Sequence, residues 1–208
     1  MESIFETKLN QLKNLLPTIM KKQILLIIPF ILIALLGIGQ DIEPAPSDKA
    51  VVYFTRTSSL GMAINFSYFD SATLIGIFNG PKYMRYECEP GRHLFWARSE
   101  NRDFIEAEVE AGKIYFIEAV ANMGAVKAGV DLLPVNPSDT RMMKKIFKLL
   151  KKKSPELFTD AELQVETARL SEVITRGLEK YAKDKEKGKL IPKLSKEMFI
   201  VTIGTTPL

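Results

Sequence analysis

Glu89 to Phe116 reads E-P-G-R-H-L-F-W-A-R-S-E-N-R-D-F-I-E-A-E-V-E-A-G-K-I-Y-F, and this stretch decides the fold. Pro90-Gly91 is turn chemistry, and an apolar strand follows it. A polar corner from Ser99 to Asp103 leads into a strand in which Ile105, Ala107 and Val109 alternate with Glu106, Glu108 and Glu110. That period of two belongs to a half-buried strand. Ala111-Gly112-Lys113 turns the chain again, and Ile114 to Ala119 is apolar on both faces. Three strands joined by short turns form the centre of a β-domain.

Upstream, the same reading extends the sheet. Val51-Val52-Tyr53-Phe54 is a short apolar, β-branched and aromatic run, as in a buried strand. Met62, Ile64, Phe66 and Tyr68 alternate with Ala63, Asn65, Ser67 and Phe69, which predicts one half-buried strand over the whole run. Leu74 to Phe78 is the next strand, and in the one after Met84, Tyr86 and Cys88 share a face. The expected fold is mainly β: a small antiparallel β-sandwich over residues 50–135, with a barrel as the second possibility.

Downstream the composition changes, and residues 136–208 read as a helical extension. Pro137-Ser138-Asp139 starts a helix whose Met143, Ile146, Phe147 and Leu150 recur at helical spacing between lysines. Ser154-Pro155 ends this basic amphipathic helix, residues 139–153. Thr159 and Glu162 form a capping box for a second helix, striped by Leu163, Thr167, Leu170, Ile174 and Tyr181 and ended by Gly188. Met198 to Ile203 is read as a final strand or a tail docked on the core.

The N-terminus points to export. Ile24 to Ile38 carries no charge, follows Lys21-Lys22, and leads to Gly37-Ile38-Gly39 before Gln40. This is the basic, apolar and small-residue order of a signal peptide, over a run shorter than the ~20 residues of a comfortable membrane span. Residues 1–39 are therefore expected to be a prefix plus a cleaved signal or a retained signal anchor, with Met1 or Met20 as the start. Residues 40–49, with Pro44 and Pro46, would be an extended linker.

The order V-Y-F-x-R from Val52, L-I-G at Leu74 to Gly76, P-G-R-H at Pro90 to His93 and A-G-K-I-Y-F at Ala111 to Phe116 resembles a family of bacterial exported domains, "domain of unknown function 2846". It is also similar to PEGA-type sandwiches. The resemblance covers residues 49–131 and implies a small prealbumin-like sandwich at the cell envelope. It implies no catalytic residues.

Composition narrows the function classes. Of 208 residues one is Cys and one is His, so neither a disulfide framework nor a typical zinc or copper site is expected, and no cofactor. No phosphate-binding glycine loop is present, and the net charge of +4 is too mild and local for a nucleic-acid binder. His93, without a nucleophile motif, is expected to hydrogen-bond locally; a hydrolase built on it is the least favoured reading. Glu106, Glu108 and Glu110 are expected to form a solvated face, and Cys88 to be a buried, inert thiol. Phe95 and Trp96 fall on opposite faces of one strand, so one of them should meet the added helices.

The expectation is a non-enzymatic envelope protein, periplasmic or membrane-anchored. Its partner would be an envelope protein or a surface polymer, not nucleic acid or a small-molecule substrate. The alternative is a membrane-surface protein that engages anionic lipid through Lys144, Lys145, Lys148, Lys151 and Lys152.

Overall fold

The computed structural model describes residues 42–123 and 128–200. The proposed signal or anchor at Ile24 to Ile38, its Gly39/Gln40 boundary and the end of the Met198 to Ile203 segment lie outside the described residues. Among the described residues, no helix is long and apolar enough to cross a membrane.

The chain runs β1 (Ala50–Arg56), β2 (Phe66–Asp70), β3 (Thr73–Phe78), β4 (Lys82–Cys88), β5 (Gly91–Arg98), β6 (Arg102–Val109), β7 (Ile114–Met123) and β8 (Ala128–Pro134). Helices α1 (Thr140–Lys152), α2 (Asp160–Arg169) and α3 (Ser171–Glu186) follow, then the short β9 (Lys193–Leu194). The strands form two sheets, in the orders β4-β1-β7-β8 and β3-β2-β5-β6-β9. The fold is mainly β, and the two sheets do not close into a barrel.

The period-two pattern of the strands determines what lies between the sheets. Val52, Phe54, Tyr115, Ile117 and Ala119 of the first sheet meet Tyr68, Phe95, Ile105, Ala107 and Val109 of the second. The outer face of the first sheet is apolar too: Val51, Tyr53, Ile114 and Phe116 pack against Met143, Ile146, Leu149 and Leu150 of α1. On the outer face of the second sheet, Phe69, Leu74, Trp96 and Phe104 pack against Leu170, Ile174 and Ile191. The described unit thus has helix on sheet on sheet on helix. This explains why β1 is buried along its whole length and why its sequence does not alternate.

Side chains finish both long edges. Asn101 donates from Nδ2 to Val130 O at 2.9 Å and accepts from Val130 N at 2.6 Å, and Leu132 N donates to Asp103 Oδ2 at 2.8 Å. The edge of β8 is thereby satisfied by Asn101 of the β5–β6 corner and Asp103 at the start of β6. On the opposite side, Phe158 packs against Gly76, where a Cβ would lie 2.7 Å from its ring and 2.6 Å from Met84 Sδ. Glu156 N donates to Tyr83 O at 2.8 Å and covers the β4 edge there.

Several expectations are corrected. The sheets are mixed rather than antiparallel, because β1 pairs β7 in parallel and β6 pairs β9 in parallel. Of the strand predicted over Met62 to Phe69, Met62 and Ile64 lie outside the observed β2, which begins at Phe66. Gly61 adopts φ +60, and Met62 N and Ile64 N bond back to Ser59 O and Gly61 O, so this part of the alternation is spent in turns. The single second helix is two, broken at Leu170, whose φ of −98 and ψ of 10 re-aim the chain. Residues 42–49 do not run free, since Ile42 and Ala45 pack on the α1 side of the first sheet. Ile200 bridges Ile114, so the docked-tail reading holds for that residue.

Candidate functional site

The site is built on α1, whose start and orientation are local in origin. Asp139 accepts from Arg141 N at 3.1 Å and Met142 N at 2.9 Å, satisfying donors left open at a helix start. Lys153 N still bonds Leu149 O, and Ser154-Pro155 then stops the helix. Met143, Ile146, Leu149 and Leu150 are buried on the sheet. Phe147, expected in that stripe, instead sits at its margin, 44% exposed, its ring at 80° to that of Phe116.

Because the apolar stripe is used inward, the cations are held outward. Arg141, Lys144, Lys145, Lys148, Lys151, Lys152 and Lys153 are all exposed, and the segment Thr140 to Lys153 holds no acid. Among the described residues none of these lysines makes an ion pair. Helices α2 and α3 differ: Glu166 pairs Arg169, Glu172 pairs Arg176, and Asp184 holds Lys180 and Lys189. Like charges three and four residues apart repel, so α1 presents an uncompensated cationic face.

Lys145, Lys148, Lys152 and Lys153 line a cleft of about 420 Å³, with Leu149, Thr57, Ser58 and Pro81. Lys144 and Lys151 lie outside it, on the same helix. The facing wall is the β1–β2 loop, which two buried charges position. Arg56, fully buried, donates from Nη1 to Ile64 O at 2.7 Å and from Nη2 to Gly61 O at 2.6 Å and Leu60 O at 3.1 Å. Its guanidinium also lies 4.0 Å from the Phe66 ring centroid. Glu118 accepts from Thr57 N at 2.8 Å, Thr57 Oγ1 at 2.6 Å and Thr55 Oγ1 at 2.6 Å. Burial raises the Glu118 carboxyl above its usual range, against those hydrogen bonds and the charge of Lys145.

The only histidine forms a structural lock rather than a proton acceptor. His93 donates from Nδ1 to Asp70 Oδ2 at 2.7 Å and from Nε2 to Glu89 O at 2.8 Å. Its ring stacks on Phe95, and Tyr86 donates to the same Asp70 oxygen at 3.2 Å. The Asp70 carboxylate chiefly, then Cys88 and the Glu89 carbonyl, raise the imidazole pKa to about 10 despite burial. Both ring nitrogens are donors, so neither is open to take a proton from a nucleophile. Cys88 is buried, as expected.

A group whose pKa is raised on folding stabilises the fold for as long as it stays protonated in the folded state, and most fully where the unfolded chain is protonated too. His93 should therefore contribute fully below its ordinary value of 6.5 and lose that contribution as pH rises toward about 10. Denaturant unfolding at pH 7 and pH 10 should differ by about 1–3 kcal/mol, and His93→Leu should flatten the difference. An equal pH slope in the variant would refute the lock.

A larger cleft of about 620 Å³ lies between α3 and the β5–β6–β9 surface. Its charges are of both signs, with Arg92, Lys185 and Lys193 beside Glu106 and Glu108. The predicted solvated row holds at Glu108 and Glu110, which are exposed, and is corrected at Glu106, which accepts from Tyr181 Oη at 2.7 Å and pairs Lys185 of α3. Among the described residues, no group of three or more His, Cys, Asp or Glu is placed to hold a metal ion.

Sequence reasoning found the α1 lysines but missed Lys153, Thr57, Ser58 and Pro81 as their companions in the cleft. The lysine run itself was the signal for Lys153; nothing local marks the loop. Neither a family model nor a curated protein matches the chain.

Proposed function

We propose that the chain is a non-enzymatic sandwich module of the bacterial cell envelope that rests on an anionic membrane surface through the basic face of α1. The observation that carries this reading is the combination of a buried apolar stripe with an exposed, unpaired set of lysines on one helix. The stripe is occupied by the sheet, so the contact is electrostatic and superficial rather than an insertion of the helix into the lipid interface. Each lysine near an anionic leaflet contributes about 1 kcal/mol, within a Debye length.

Export rests on the signal-like order around Ile24 to Ile38, whether the segment is cleaved or retained as an anchor. The relationship to exported domains of unknown function and to PEGA-type, prealbumin-like sandwiches is part of the same proposal, supported by the two-sheet arrangement. An envelope protein or surface polymer as partner fits this placement. A hydrolytic role for His93 has no support from its ring, which donates at both nitrogens.

The test uses the full chain bound to vesicles of zwitterionic lipid alone or with added phosphatidylglycerol. Any contribution of Ile24 to Ile38 is common to both; the increment with anionic lipid reports α1. Changing Lys144, Lys148 and Lys151 to Glu should reduce that increment about 100-fold, and 0.5 M-range salt should do the same to the unaltered protein. An increment unaffected by the triple change would overturn the reading.

A further inference from the structure

We infer that the cleft between α1 and the β1–β2 loop is a binding site for clustered phosphate groups, distinct in kind from the diffuse charge of the helix. The inference rests on the membrane-surface reading for its setting, though not for its geometry.

Lys145, Lys148 and Lys152 stand at i, i+3 and i+7, on one stripe of α1 turned toward the loop. From first to last they span about 10 Å of helix. Lys153 closes the C-terminal end, and Leu149 between them gives the cleft an apolar floor. No acid lines it. Glu118, whose charge interacts with that of Lys145, is buried behind Thr57 with both oxygens engaged by hydroxyls and a backbone amide. An approaching anion therefore meets ammonium groups with no carboxylate in the cleft lining to compete for them.

The walls are fixed before any ligand arrives. Arg56 clamps the loop carbonyls from within, Glu118 holds Thr57, and α1 is docked by four buried apolar residues. Ser58 Oγ accepts from Leu60 N at 3.1 Å, which leaves its own proton for a ligand oxygen. A preorganised site loses less entropy on binding than a flexible lysine tail. The clefts beside α3 lack this character, since Glu106, Glu108, Glu179 and Asp184 contribute acids to them.

The chemistry selected is two or more phosphate groups within about 10 Å. A headgroup bearing phosphomonoesters and a soluble oligophosphate both meet it. Orthophosphate, which reaches one or two lysines, should bind far more weakly.

The full chain in non-ionic detergent is titrated with tripolyphosphate and with orthophosphate at equal ionic strength, by calorimetry. Saturable tripolyphosphate binding, about 10-fold or more tighter than orthophosphate, is expected. The double change Lys148→Ala, Lys152→Ala should weaken it about 10-fold or more, while Lys144→Ala, Lys151→Ala on the same helix should leave it within about two-fold. Both variants change exposed side chains, and matching thermal unfolding shows that neither disturbs the fold. Equal weakening by the two pairs, or no saturable binding, overturns the inference.

The two proposals fail separately. An anionic-vesicle increment that is absent in the unaltered chain, or unaffected by the triple change, removes the membrane reading and, with an intact titration, retains the cleft. An intact increment with a failed titration removes the cleft alone. Where both stand, displacement of the chain from vesicles by tripolyphosphate assigns the phosphates to a lipid headgroup; co-occupancy assigns them to a soluble ligand.

Discussion

Replacing Arg56 by methionine is expected to lower the unfolding free energy by about 3–4 kcal/mol, among the largest losses available to a single side chain here. Arg56 is the last residue of β1, and it is fully buried although charged. Burial lowers its pKa, and the Tyr68 and Glu118 side chains act in the opposite direction. The guanidinium offsets its desolvation with three carbonyls of one loop and the face of Phe66. Methionine fills much of the space and offers no donor, leaving the carbonyls of Leu60, Gly61 and Ile64 without their partner. Lysine should also fail, because one ammonium cannot reproduce a planar fork that reaches several oxygens. Urea unfolding decides the matter: a loss below about 1 kcal/mol would mean that water replaces the guanidinium easily. The same variant should loosen the Thr57–Ser58 wall and weaken tripolyphosphate binding, which ties the fold to the cleft.

Gly177→Leu should cost about 4 kcal/mol or more, through a different cause. Gly177 is buried in α3 directly over Trp96, and a Cβ there would lie 2.5 Å from Trp96 Cη2. Trp96 has no room to retreat. It is fully buried, stacks on Phe69 with centroids 3.9 Å apart, and donates from Nε1 to Ser71 O at 2.8 Å. The helix must therefore lift and expose Leu170, Ile174 and Ile191. Gly177→Ala gives a cleaner test of sign. Helix propensity alone favours alanine by about 1 kcal/mol, whereas the close approach predicts a net loss of about 2 kcal/mol. Stabilisation by alanine in thermal unfolding would show that the helix can shift at little expense. Trp96 is also the residue of the Phe95–Trp96 pair that meets the added helices, as the alternation along β5 required.

How far the sequence could be read depends on how local each cause is. The β5, β6 and β7 strands were legible because Pro90-Gly91, Gly112 and the Ile105 to Val109 alternation act within a few residues. The Thr159–Glu162 capping box was legible for the same reason, and both of its hydrogen bonds are present. The parallel pairing of β1 with β7 was not, since Val51 and Ile114 meet only after the chain has built most of the second sheet. Nor was β9, two residues that pair with Glu106 and Ala107. The break at Leu170 hid inside a continuous helical stripe, because Leu170 and Ile174 keep their apolar spacing across it. At the site, the lysines were visible as a run, but the loop that faces them comes from the other end of the domain. Arg56 and Glu118, which set that loop, read in sequence as ordinary strand residues.

The most direct test of the central claim is a map of lysine reactivity on the full chain, acetylated on zwitterionic vesicles and on vesicles containing phosphatidylglycerol. Anionic lipid is expected to protect Lys144, Lys148, Lys151 and Lys152, while the exposed Lys183, Lys187 and Lys193 react equally on both surfaces. Equal reactivity of the α1 lysines on the two surfaces, or protection centred on α3, would contradict it.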